Sequence, residues 1–253
     1  MMEAIILAGG KGTRLKSLVS DRPKPLADIN GQPFLSILLS FLVRQGCQHF
    51  ILATGHQREM IRSKYAGHYL GIPISYSEET NPLGTGGAVI NAHKKLKNNK
   101  PFIVLNGDTF FPIDLALLEK KFTKTQSDVT IALFKTNESG RYGAAKQDNR
   151  GFIKLTNERA NTGESANGGI FMIKPTKLDL IRNMKLPWSF ETDFLPALAS
   201  LGGRITGVTF NKPFTDIGLP HDYLRFCESM SSPQLSGSGN IWFKEATNKR
   251  AAI

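Results

Sequence analysis

The sequence predicts an α/β protein built on a mixed, mostly parallel central sheet. Three observations carry that prediction. Short runs such as FILA at Phe50–Ala53 and FIVL at Phe102–Leu105 are apolar at every position, as strands buried on both faces are. Helical patterns separate these runs from Glu3 to about Thr125, the alternation of a helix-covered sheet. Glycine-rich or carboxylate-bearing loops follow the apolar runs, where a parallel sheet holds its ligands. At 253 residues, with 40% hydrophobic and 21% charged, the chain can bury one sizeable core.

The elements follow in order. Ile5–Leu7 reads as a buried strand. Phe34–Val43 (FLSILLSFLV) reads as a helix buried on most sides and stopped by Gly46. Phe50–Ala53 is a second strand, and 57–65 a charged surface helix with an apolar stripe. Ile72–Tyr76 is a short strand. Residues 85–96 are helical in pattern, with Ala88, Ala92 and Leu96 on one face. Phe102–Leu105 is a strand, and Asp114 caps a helix whose inward face is Leu115, Leu118 and Phe122. The second half has less helix. Strands are expected at 129–134, 144–146, 152–155 and 170–173, as a smaller antiparallel portion laid over the same sheet. Ser189 is expected to cap a helix ending before Leu201 and Gly202. A late strand at 205–210 and a closing helix at 223–230 complete the catalytic region, 1–230. From 231 to 253 the composition shifts to SSPQLSGSGN and then IWFKEATNKR. This tail reads as loop-like or partly disordered, with Trp242 and Phe243 available to dock back.

The net charge is +11, which suits nucleic acid, a membrane surface or phosphorylated small molecules alike. The lysines are scattered rather than arranged with aromatic residues, which argues against a nucleic-acid partner. No stretch of about 18 apolar residues marks a membrane span, and the first residues lack the pattern of a secretory leader. Two cysteines, Cys47 and Cys227, make neither a disulfide framework nor a metal cluster. They are expected to be buried thiols, and the location to be cytoplasmic. Oligomeric state, including a homo-oligomer, stays open.

Five motifs bear chemistry. LAGGKGTRL at Leu7–Leu15 places Gly9, Gly10 and Gly12 directly after a strand. Their backbone can approach a phosphate closely, Thr13 adds a hydroxyl, and Arg14 adds a planar cation. The spacing is neither that of the dinucleotide fingerprint nor that of a Walker A loop. In DRPKPL, Pro23 and Pro25 hold Lys24 in a stiff segment. NPLGTGGA at Asn81–Ala88 opens a helix with free N–H groups. FIVLNGDTFF ends a strand in Asp108, well placed for Mg²⁺. FTDIG offers Asp216 as a second ligand. Each motif alone is also compatible with an ordinary turn.

Taken together and in order, LAGGKGTRL, RPKPL, PLGTGGA, NGD, NGG, SFETD and TDIG resemble the signature of the nucleotide-sugar pyrophosphorylases, the sugar-1-phosphate nucleotidyltransferases. The resemblance runs from about Glu3 to Tyr223. It implies a Rossmann-like nucleotidyltransferase sandwich, with Leu7, Ala8 and the Gly9–Thr13 loop around a nucleoside triphosphate. Arg14, Lys24 and Asp108 would be catalytic. Glu79, Gly84, Thr85 and Gly86 would lie near the base, and Asp108 and Asp216 would carry Mg²⁺. Gly143, Arg159, Asn167, Gly168 and Glu191 would meet the sugar phosphate. Glu158-Arg159 stands where the family often has Glu-Lys, which keeps charge but changes geometry. Within the family the pattern is most similar to the group acting on D-glycero-D-manno-heptose 1-phosphate with GTP. Mannose 1-phosphate guanylyltransferases, and glucose 1-phosphate uridylyl-, cytidylyl- and thymidylyltransferases, are neighbours. A non-catalytic sugar-nucleotide-binding regulator on the same fold is the other alternative.

Overall fold

The structure, a computed structural model, describes residues 2–10, 12–181 and 186–231. The expectations for the tail, including Trp242 and Phe243, lie outside the described residues, as does Lys11.

Strands β1 (Met2–Leu7), β4 (Cys47–Thr54), β6 (Ile72–Glu78) and β7 (Phe102–Asn106) form the parallel heart of the sheet, in the order β7-β1-β4-β6. Small antiparallel ladders punctuate the connections: β2 (Asp28–Ile29) with β3 (Gln32–Pro33), and β5 (His68–Tyr69) against β6. Helices α1 (Phe34–Arg44), α2 (Arg58–Tyr65), α3 (Gly84–His93) and α4 (Leu115–Thr125) connect the strands. The two-faced apolar pattern has a direct cause. Ile5, Ile51 and Val104 point into a core shared with α3, while Ile6, Leu52 and Leu105 point into one shared with α1 and α4. Successive strand residues face opposite ways, so both must be apolar. In α1, Phe34 to Leu39, Phe41 and Leu42 are all buried, as the unbroken apolar run predicts. Asp114 caps α4 by accepting a hydrogen bond from the Ala116 N–H at 2.9 Å.

The second half differs from the expectation of a layer over the sheet. β9 (Val129–Lys135), β10 (Gly143–Gln147), β11 (Ile153–Arg159), β12 (Ser165–Ile173) and β13 (Ile205–Thr209) belong to the same ten-stranded sheet. β12 pairs antiparallel with β7 on one edge and with β9 on the other. β7 otherwise has a bare edge of backbone donors and acceptors, which edge pairing satisfies. β8 (Thr109–Phe110) and β14 (Thr215–Asp216) form a separate antiparallel pair. A π-helical turn at Phe190–Phe194 leads into α5 (Leu195–Ser200), and α6 (Pro220–Ser231) closes the described chain. Ser189 does cap this segment, its hydroxyl accepting from the Thr192 N–H. Among the described residues no helix is long and apolar enough to cross a membrane. Both cysteines are free. Cys47 is buried, which pushes its thiol up to about 12, and Cys227 is only half-buried.

Candidate active site

Parallel register assembles the site. Leu7 lies opposite Ala53 on one side and Asn106 on the other. The carboxyl ends of β1, β4 and β7 therefore emit three loops side by side. They crowd closely: Gly107 donates its N–H to the Leu7 carbonyl at 2.9 Å, and a Cβ on Gly107 would stand 2.6 Å from that oxygen. The loops wall a cleft of about 1090 Å³. Of the sequence-predicted residues, Leu7, Ala8, Gly9, Gly10, Gly12, Thr13, Arg14, Lys24, Glu79, Gly84, Thr85, Asp108 and Glu191 line it.

Lys24 is only 9% exposed despite its charge. The two prolines fold its segment into a short 3-10 turn, and its ammonium donates to Asp108 Oδ2 at 2.6 Å. Asp216 Oδ1 is 3.6 Å from the same nitrogen. The β14–β8 pairing brings Asp216 here by setting it opposite Thr109, the neighbour of Asp108. The Gly218 N–H, donating at 2.7 Å to Asp216 Oδ1, orients that carboxylate. Buried charge requires such pairing.

Glu79, which follows β6 in the cleft wall, is half-buried. Burial raises its pKa, while the Leu83 N–H, donating at 3.2 Å, lowers it. Glu191 also lines the cleft. Burial raises its pKa; a hydrogen bond with the Asn167 side chain lowers it, and the charge of Asp108 raises it further. Asn167 also uses Oδ1 to accept from the Gly169 N–H at 2.9 Å. The register of β12 against β9 shifts between Asn167 and Phe171, and Gly169 sits there at φ 68°. That irregularity turns the NGG backbone toward β7, since a Cβ on Gly169 would be 2.7 Å from Asn106 Nδ2.

Other predicted residues stand apart from the cleft wall. Gly168 packs under Phe111. Gly143 and Arg159 face each other across the β10–β11 ladder, and the exposed Arg159 donates to the Arg141 carbonyl at 3.0 Å. Glu158 pairs with Lys146. Gly86 is covered by the Trp188 ring, which a Cβ there would meet at 1.9 Å. Its glycine is therefore required by packing against the protein. Sequence reasoning passed over His56 and Gln57, in the loop after β4, and Arg58, the first residue of α2, all of which line the cleft. Their signal was present in FILATGHQR, another apolar strand ending in glycine.

Known proteins resemble this chain over nearly all its described length. Residues 3–232 match the Nucleotidyl transferase family. A D-glycero-alpha-D-manno-heptose 1-phosphate guanylyltransferase of Campylobacter jejuni is 40% identical over 89% of this chain and 98% of its own. The Aneurinibacillus thermoaerophilus protein of the same description is 37% identical over 88% and 95%. The crystal structure of HddC from Yersinia pseudotuberculosis superposes with a TM-score of 0.77 at 33% identity, covering 90% of this chain and 99% of that one. A second structure of that protein is complexed with GMP-PN. A Rossmann-like sheet, a glycine-walled cleft at its parallel strand ends and a match over nearly all the described chain lead to one conclusion: this protein belongs to the nucleotidyl transferase family.

Proposed function

We propose that the chain transfers GMP from GTP to D-glycero-α-D-manno-heptose 1-phosphate, releasing pyrophosphate and forming the nucleotide-sugar. The relatives described as enzymes of that reaction, matched over nearly their whole length, support this substrate pair. The observation that carries the chemistry is the convergence of Lys24, Asp108 and Asp216 at the floor of the cleft.

The sugar phosphate is its own nucleophile, because a phosphate monoester with a second pKa of about 6 is largely dianionic at neutrality. No histidine base is needed. Attack by its oxygen on the α-phosphorus forms one P–O bond. The bond to the bridging oxygen breaks, and pyrophosphate leaves with the electron pair. The obstacle is the meeting of two anions. In this reading the Gly9–Thr13 backbone cradles the triphosphate, Arg14 receives the departing pyrophosphate, and Lys24 steadies the phosphates at the reacting centre. Asp108 and Asp216 would hold Mg²⁺, which supplies charge neutralisation at the reacting phosphates. The donor set suits it. Mg²⁺ is usually bound by one or two carboxylates with substrate phosphates completing its shell, and Asp108 and Asp216 both stand beside the Lys24 ammonium.

Glu79 supplies a reason for guanine. A carboxylate only accepts, with about four lone-pair sites, and Leu83 uses one oxygen. Guanine offers N1–H and N2–H₂ donors together, whereas uracil and thymine offer a single N–H. Asn167 and Glu191 are the candidates for reading sugar hydroxyls, since a wrong epimer leaves such buried groups unpaired.

The test pairs each of GTP, CTP, UTP, dTTP and ATP with heptose, mannose or glucose 1-phosphate in Mg²⁺ and reads pyrophosphate release. Release with GTP and the heptose phosphate is expected, and Glu79→Gln is expected to weaken the preference for GTP. Release confined to another pair would replace the substrate assignment. An unchanged base preference in Glu79→Gln would remove that residue from base selection.

A further inference from the structure

We infer that Thr85 is a positioning residue for the sugar phosphate, acting from within the nucleotide loop through the Phe190 backbone on Glu191. Leu83 and the first turn of α3, residues 84–86, are stitched to the segment 188–190. Trp188 donates its N–H to the Leu83 carbonyl at 3.2 Å, and Gly86 donates to the Trp188 carbonyl at 3.0 Å. Phe190 donates its N–H to Thr85 Oγ1 at 2.9 Å. The Ser189 N–H between them goes to Asp193 Oδ2 at 2.6 Å.

These bonds differ in what a substitution can remove. The acceptors of Trp188 and Gly86 are carbonyls and survive any side-chain change. The acceptor of Phe190 is a side-chain hydroxyl from another element. Thr85 is exposed to the cleft, but a valine there sets a methyl where Oγ1 stood; with Phe190 itself 1% exposed, its N–H is left facing carbon, and an N–H without an acceptor is costly. Its ring is anchored against Phe171 and Phe194. Relief must therefore come from rotation of the Ser189–Phe190 peptide, one residue before Glu191, whose carboxyl is bonded to Asn167 and sits within electrostatic reach of Asp108. Gly84 and Gly86 have no room for a Cβ because Trp188 lies against both. The loop that would meet the base is thus one packed unit with the segment that would meet the sugar.

This inference rests on the reading that Glu191 meets the sugar phosphate, and the experiment separates the two. Steady-state KM values for GTP and for the sugar phosphate are measured for Thr85→Val, Thr85→Ser, Glu191→Gln and the Thr85→Val/Glu191→Gln pair. Thr85→Val is expected to raise the sugar-phosphate KM roughly threefold to tenfold, the worth of one neutral hydrogen bond, with the GTP KM within about twofold. Thr85→Ser, which keeps the acceptor, restores it. The double variant falls short of the product of the singles, as coupled residues do. Should the valine not be accommodated, Thr85→Ala is expected to give a smaller rise in the same KM, because cleft water can reach the vacated place. A raised sugar-phosphate KM in Glu191→Gln with none in the Thr85 variants overturns the inference alone. An equal rise in the GTP KM overturns it too, assigning the hydroxyl to the nucleotide. No change in Glu191→Gln overturns the sugar-site reading and the inference with it.

Discussion

Between Met2 and Thr125 the site residues sit in the connections that leave parallel strands, on loops, short 3-10 turns and the first turn of α3. Between Ser127 and Ser231 they come from a register shift inside β12, a π-helical turn and the two-residue strand β14. The first region needs only that three strands lie in register for its loops to converge. The second delivers Asn167, Glu191 and Asp216 through long-range pairing. The difference teaches where each half is vulnerable. The first half tolerates little at its loop atoms, and the second depends on the contacts that aim its side chains.

The largest effect should come where the halves meet. Asp108→Ala removes the first-half carboxylate beside Lys24, and Asp216→Ala the second-half one. Each is expected to lower turnover by about a hundredfold or more, the scale of losing transition-state charge stabilisation, with secondary structure retained by circular dichroism. Near-normal pyrophosphate release from either folded, Mg²⁺-supplied variant would break the idea that the two regions share one reacting centre. Lys24→Met should mainly lower the chemical rate in single-turnover assays, and an unchanged rate would leave that lysine a structural role.

Two glycines of the segments proposed to meet the nucleotide sharpen the contrast. A Cβ on Gly10 meets nothing within 4 Å, whereas one on Gly86 strikes the Trp188 ring. Gly86→Ala is expected to destabilise by roughly 1–3 kcal/mol, as overpacking does, and to lower Tm by about 2–4 °C per kcal/mol. Gly10→Ala is expected to keep its Tm while raising the KM for GTP, because the vacant space lies on the side of the cleft. Thermal unfolding beside kinetics tests both. A stable Gly86→Ala would show that the strap between the halves is loose.

The smallest effect is a pH dependence in the second half. Burial raises the pKa of Glu191 above its ordinary 4.5, so the folded state favours the neutral acid. Its stability contribution is fully present below the ordinary value and is lost as pH rises through the folded value. Glu191→Gln is therefore expected to raise Tm slightly near neutrality, with the gain shrinking as pH falls toward 4.5. A gain that persists unchanged at low pH would attribute it to packing instead.

Much of the fold was legible because its signals are local. Strands apolar at every position require cover on both faces, and caps such as Asp114 and Ser189 act within a few residues. The glycine loop, the proline-clamped Lys24 and the strand-terminal Asp108 stood in the sequence as contiguous motifs, and the structure gathers them at one cleft. Only the tertiary structure decided that β12 extends the sheet edge to edge and that Gly86 makes room for Trp188. It likewise decided that Asp216 reaches Lys24 through β14 and that Thr85 holds the backbone beside Glu191. The physical reason is the range of the forces involved. Periodicity, capping and backbone restriction act over a few neighbours along the chain. Edge pairing, register and close backbone approach join residues as far apart as Lys24 and Asp216, and their free energy exists only once the sheet has formed.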